Sequence, residues 1–98
     1  MLPTYRGGVR VNAGAVKALR EKGSSLLPIG ISGVAGIFER GDAISILDDK
    51  DREIARGLSN YSSEECAKLA GCSSADIAKK IGSKNYDEVV HRDNIVLL

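Results

Sequence analysis

The stretch that most constrains this chain is residues 36–57. Gly36-Ile37-Phe38-Glu39 and Ala43-Ile44-Ser45-Ile46-Leu47 are β-type segments, and Glu53-Ile54-Ala55-Arg56-Gly57 is a third. The polar run Asp48-Asp49-Lys50-Asp51-Arg52 between the last two cannot pack into a core, so it predicts a hairpin closed by a five-residue loop. Arg40-Gly41-Asp42 breaks the apolar character once more. Gly41 tolerates positive φ without steric cost, which predicts a second tight turn there. Three strands joined by two short turns form a meander, the kernel of a small barrel or sheet.

Ninety-eight residues make one domain with room for its own core. A net charge of +1 argues against a strongly basic RNA clamp and against an acidic tail. Within residues 1–28, however, Arg6, Arg10, Lys17, Arg20 and Lys22 face only Glu21, which predicts a locally positive surface. Cys66 and Cys72 are the only thiols and His91 the only histidine, too few ligands for a zinc site. The cysteines are expected to be reduced and structural, which fits a cytosolic compartment. No apolar run approaches the roughly 20 residues of a membrane span, so no membrane partner is expected.

Taken in order, residues 1–8 are expected to be a linker or leading edge and residues 9–98 the folded domain. Val9-Arg10-Val11 alternates apolar with polar as a half-buried strand does. Asn12 is placed to cap a helix over Ala13–Lys22, with Ala15, Val16 and Leu19 on one side and Gly23 ending it. Residues 29–36 are apolar but carry Gly30, Gly33 and Gly36, which predicts a curved strand. Ser62-Ser63-Glu64-Glu65 is a capping box opening a helix that Gly71 stops. Ser73-Ser74-Ala75-Asp76 opens another, with Ile77 and Ile81 on its buried face and Gly82 at its end. Residues 88–98 are β-rich at both ends with a turn at Arg92-Asp93-Asn94, and the terminal Ile95-Val96-Leu97-Leu98 is expected to be buried in the sheet.

No catalytic constellation emerges. His91 next to Arg92 and Asp93 is expected to be a hydrogen-bonded structural residue, because adjacent residues on a strand point to opposite faces. Asp48, Asp49 and Asp51 are expected to form a solvated turn, neutralised by Lys50 and Arg52. Gly30-x-x-Gly33-x-x-Gly36 lacks the following helix and the Lys-Ser/Thr pair of a phosphate loop. One binding surface stands out: Lys17, Arg20 and Lys22 with the loop amides of Gly23, Ser24 and Ser25 can meet a nucleic-acid backbone. The aromatic residues that a single-strand stacking platform requires are few.

Several blocks resemble a known family. Ala13-Gly14-Ala15-Val16-Lys17-Ala18-Leu19, Ser25-Leu26-Leu27-Pro28-Ile29-Gly30-Ile31 and Phe38-Glu39-Arg40-Gly41-Asp42 are similar, in order, to successive blocks of a PUA domain. Ile54-Ala55-Arg56-Gly57-Leu58-Ser59-Asn60-Tyr61 and Val90-His91-Arg92-Asp93-Asn94 resemble more narrowly the PUA domain at the C-terminus of bacterial glutamate 5-kinases. Asn12 stands where those proteins more often carry Asp, and both cap helices well. The resemblance implies a mixed α/β, mainly β fold, a pseudo-barrel of curved mixed strands with flanking short helices.

It also implies a parent enzyme, a homo-oligomer in the cytoplasm, that phosphorylates the glutamate side chain with ATP and Mg²⁺ as a step of proline biosynthesis. That chemistry belongs to an N-terminal amino-acid kinase domain. No catalytic residue and no cofactor therefore transfers to this chain, and its implied partner is the kinase domain, which it regulates or helps assemble. Other PUA domains bind RNA through the first helix, the following loop and neighbouring strands. Carried over by position, that surface is Lys17, Arg20, Lys22, Gly23, Ser24, Ser25 and the strand beginning near Ile29. A third reading, with Met1 as a natural start, is a free-standing small PUA-like protein.

Overall fold

The computed structural model describes residues 7–98. Of the linker expected at residues 1–8, residues 1–6 lie outside them. A five-stranded sheet carries the fold, made of β1 (Gly7–Val11), β2 (Ile31–Gly36), β3 (Ala43–Leu47), β4 (Glu53–Leu58) and β5 (Ile95–Leu97). Three short helices flank it: α1 (Ala13–Lys22), α2 (Ser63–Leu69) and α3 (Ile77–Ile81). The spatial order is β2-β1-β3-β4-β5, with β1 and β3 parallel and the other neighbours antiparallel. This is the mixed, mainly β architecture expected, and the sheet bends at irregularities between Arg10 and Val11 and between Ile46 and Leu47.

The expected meander is corrected. β3 and β4 form the predicted hairpin, but β1 inserts between β2 and β3, so the first and second apolar segments never pair. Residues 37–39 are not a strand. Ile37 faces solvent, while Phe38 plugs the core from a loop, its N–H donating to Ser63 Oγ at 3.2 Å and its carbonyl accepting from Ser63 N–H at 2.9 Å. Gly41 turns the chain at φ 89° as expected.

The first strand also starts earlier than Val9, at Gly7. Its two glycines are not a flexible leader: a Cβ on Gly7 would lie 2.5 Å from the Ala35 carbonyl oxygen, and one on Gly8 would strike the Ser45 backbone. These residues are glycine because neighbouring strands leave no room for a side chain.

Val9 and Val11 of β1, Ile44 and Ile46 of β3 and Ile54 of β4 meet Leu19 of α1, Cys66 and Leu69 of α2 and Ile77 of α3 in one core. Tyr61 is also wholly buried, and its hydroxyl donates to the Tyr86 carbonyl at 2.6 Å while accepting from Tyr86 N–H at 3.1 Å. Both cysteines are free thiols. Burial pushes the Cys66 thiol up to about 12, so it stays protonated and packs as an apolar residue.

Two further expectations change. Asp48 is buried rather than solvated: its Oδ1 accepts from the N–H groups of Lys50 and Arg52, both at 2.9 Å, and its Oδ2 from Arg52 Nε. Those bonds hold its carboxyl below the usual range. The C-terminal strand is not buried: β5 pairs with β4 along the sheet edge, leaving Val96 63% and Leu98 60% exposed, and only Ile95 packs on the core. A strand at an edge has one flank and part of both faces in water.

The capping box at α2 is complete, with Glu65 N–H donating to Ser62 Oγ at 3.2 Å and Ser62 N–H to Glu65 Oε1 at 2.9 Å. Arg40 adds a two-point pair to the same carboxylate and lies 5.4 Å from the centre of the Tyr61 ring. The Arg40 guanidinium is the largest cause that brings the Glu65 carboxyl from 4.5 down to about 2. A carboxyl depressed on folding stabilises the protein fully above its unfolded value and loses that contribution as pH falls through the folded one. Stability is therefore expected to fall between about pH 5 and pH 2. Replacing Arg40 by Met should move the Glu65 titration, read by carboxyl ¹³C shifts, up towards the ordinary range and flatten that acid limb.

Candidate functional site

The surface singled out in the sequence is built on α1 and the chain that follows it. Asn12 makes the junction: its Oδ1 accepts from Ala15 N–H at 2.9 Å, capping α1 as predicted. Its Nδ2 donates to the Ile29 carbonyl at 3.2 Å and its N–H to the Gly30 carbonyl at 2.9 Å, which ties the returning chain to the helix start. Gly23 ends α1 in the left-handed conformation at φ 58°. Pro28–Gly30 is a single 3-10 turn, so Ile29 stands outside the strand expected there and β2 begins at Ile31. The turn sits close on the helix, since a Cβ on Gly30 would lie 2.7 Å from the Ala15 Cβ.

These elements enclose a groove of about 330 Å³. Gly14, Ala15 and Ala18 of α1 form one wall, Leu27 and Ile29 the other, and Ser24 and Ser25 the end. Ile29, 59% exposed, and Leu27, 42% exposed, project apolar surface at its rim. Lys22 continues the helical stripe of Gly14, Ala15 and Ala18 one turn beyond Ala18, outside the residues that line the groove. Lys17 lies on the neighbouring stripe, 4.0 Å from Glu21, and Arg20 lies on the far side of the helix from the groove. The structure thus brings Ser24, Ser25 and Ile29 onto one concavity, while Lys17, Arg20 and Lys22 do not line it.

Two of the three loop amides are already used. The N–H groups of Gly23 and Ser24 both donate to the Ala18 carbonyl, closing the helix end rather than pointing at a ligand. The Ser25 hydroxyl accepts from Arg92 N–H at 2.8 Å, joining the loop to the C-terminal segment. Sequence reasoning missed the groove itself. Its only trace is the run of small residues, Gly14, Ala15 and Ala18, at helical spacing.

His91 opens the 3-10 turn Arg92–Asn94, with Nδ1 accepting from Asp93 N–H at 3.1 Å. The expected hydrogen-bonded, structural role holds, though the residue lies on a turn rather than a strand.

The sequence pattern of the PUA domain family matches residues 7–81. The chain belongs to the PUA domain family. Among solved structures, a PUA domain protein from Aeropyrum pernix K1, crystallised as a tartrate complex, is 26% identical with a TM-score of 0.63, over 88% of this chain and 41% of that one. A chain of an archaeal box H/ACA sRNP complex is 25% identical with a TM-score of 0.60, over 66% of this chain and 21% of that one. Among curated relatives, the glutamate 5-kinase of Saccharophagus degradans is 53% identical over 93 residues, 95% of this chain and 25% of the enzyme. That of Trichlorobacter lovleyi is 55% identical over 92 residues, 94% of this chain and 24% of the enzyme. The chain spans about a quarter of the length of these relatives. Its PUA fold agrees with the pseudo-barrel expected from the resemblance.

Proposed function

We propose that this chain is the PUA module of a glutamate 5-kinase and regulates or helps assemble the catalytic part rather than transferring phosphate itself. The observation that carries the reading is identity of half or more, along nearly the whole chain, to glutamate 5-kinases that this PUA domain only partly spans. The residues here do not fit ATP or Mg²⁺. Gly33 and Gly36 pair with Arg10 and Gly7 in the sheet, so the glycine series is committed to strand bonding and makes no phosphate cradle. Binding of ATP, Mg²⁺ and glutamate is accordingly assigned to the remainder of the polypeptide, which this module contacts. A homo-oligomer in the cytoplasm, acting in proline biosynthesis, completes the reading. No helix among the described residues is long and apolar enough to cross a membrane.

The test is direct. The polypeptide carrying this module is expected to consume ATP in a glutamate- and Mg²⁺-dependent manner, and the 98-residue chain alone is not. Phosphoryl transfer by the isolated chain, or its absence from the whole polypeptide, overturns the assignment.

A second reading, RNA binding, is favoured by the α1 groove, by Lys22 on the adjoining last turn of α1 and by the structural neighbour found in an sRNP. Titration with structured RNA at low salt should shift the resonances of Lys17 to Ser25 and of Ile29. With only Lys17, Arg20 and Lys22 available, log affinity should fall with log salt at a slope of no more than about −3. Unshifted resonances at high RNA concentration overturn this reading.

A further inference from the structure

A second concavity, of about 400 Å³, lies away from the α1 groove. Arg40, Leu58, Asn60, Asn85, Tyr86 and Asn94 line it. They come from four separate parts of the chain: the turn before β3, the end of β4, the loop after α3 and the turn before β5. Asn85, Tyr86 and Asn94 lie beyond Ile81, where the family pattern stops. The alignment with the Saccharophagus enzyme takes in 93 of the 98 residues, so likeness to the kinases continues into that tail.

The pocket is preorganised. Tyr86 leaves its side chain 49% exposed, yet its backbone is fastened on both sides by the Tyr61 hydroxyl. Asn60 Nδ2 holds the same loop through the Glu88 carbonyl at 3.1 Å, and Lys84 pairs with Asp87 at 2.6 Å. A ring presented from a fixed backbone gives contact area at small entropic cost. Leu58, 46% exposed, adds aliphatic surface.

The charge pattern selects the occupant. Arg40 is the only charged residue lining this pocket among the described residues, and Glu65 already neutralises it. A nucleic-acid backbone needs uncompensated cations, and this pocket offers none. Asparagine side chains carry donors and acceptors together, which matches the paired N–H and C=O of an extended peptide. Tyrosine and arginine beside an aliphatic residue is the composition of a protein-binding hot spot.

We propose that this pocket docks an uncharged, extended segment from the remainder of the longer polypeptide, coupling module to enzyme. The proposal rests on the reading of the chain as a glutamate 5-kinase module. The experiment places a photo-crosslinker in the whole polypeptide as Tyr86→p-benzoylphenylalanine and maps the products by mass spectrometry. A crosslink within one polypeptide, to a segment outside these 98 residues, is the expected result. Adding Leu58→Asp should lower its yield about tenfold, as loss of a hot-spot contact does. Crosslinks to residues 1–98 of a second copy, crosslinks to RNA, or no crosslink, each overturn the proposal. If the same polypeptide still phosphorylates glutamate, only the docking site has failed. If it does not, the underlying assignment has failed instead.

Discussion

Tyr61→Ala is expected to lower unfolding stability by about 4 kcal/mol, the range for truncating a buried aromatic side chain. The whole stability of a domain this size is about 5–15 kcal/mol, so the variant should lose most of its margin if the wild type lies near the bottom of that range. Two losses combine. The ring is wholly buried among core residues, and its removal leaves a cavity that a sheet pinned on both sides fills poorly. The hydroxyl also satisfies both backbone groups of Tyr86. Tyr61→Phe separates the terms, because it keeps the ring and frees only those groups. It should cost about 1–2 kcal/mol, with the amide of Tyr86 losing most of its exchange protection. Urea denaturation of both variants, with amide exchange on the second, checks the pair. Equal losses would show that the ring contributes little.

Gly57→Ala is the second large effect, at an expected cost of about 3 kcal/mol. The added Cβ would stand 2.5 Å from Val90 Cγ1 and 2.8 Å from the Asn94 carbonyl oxygen. Val90 is wholly buried, and Asn94 leads directly into β5, which pairs with β4 at Gly57 through Ile95. Neither neighbour can yield without shifting the last strand. Gly23→Ala makes the contrast. Nothing lies within 4 Å of its added Cβ, and the cost comes only from holding alanine at φ 58°. That is about 1 kcal/mol. Midpoints of urea unfolding should rank wild type, Gly23→Ala and Gly57→Ala in falling order. A Gly57→Ala chain as stable as the wild type would mean that β5 contributes little to the fold.

The kinase assignment and the two concavities bear on each other. The α1 groove is lined by small and apolar residues with Ser24 and Ser25 and lies beside the basic last turn of α1, while the Tyr86 pocket carries no uncompensated charge. Surfaces so different in charge suit different partners, and the crosslinking and RNA titration address them separately.

Local chemistry in this chain was legible from its letters. Asn12, Gly23, the Ser62–Glu65 box and Gly82 mark helix ends where they occur, because a cap is a bond between residues within four positions of each other. The β3–β4 hairpin was legible for the same reason. The PUA likeness also came from order and spacing along the chain. Pairing across distance was not. Placing β1 between β2 and β3 depends on how Val9 and Val11 fill a shared core, and no local pattern encodes which strand lies next to which. Asp48 looked solvated because its neighbours are polar, but the backbone of its own loop closes around it. Val96 and Leu98 looked buried because they are apolar, but only the sheet's strand order decides that they lie at an edge. The Tyr86 pocket follows the same rule, since it is assembled from residues far apart in sequence, and the α1 groove, though built within residues 12–30, exists only because the returning chain folds back on the helix.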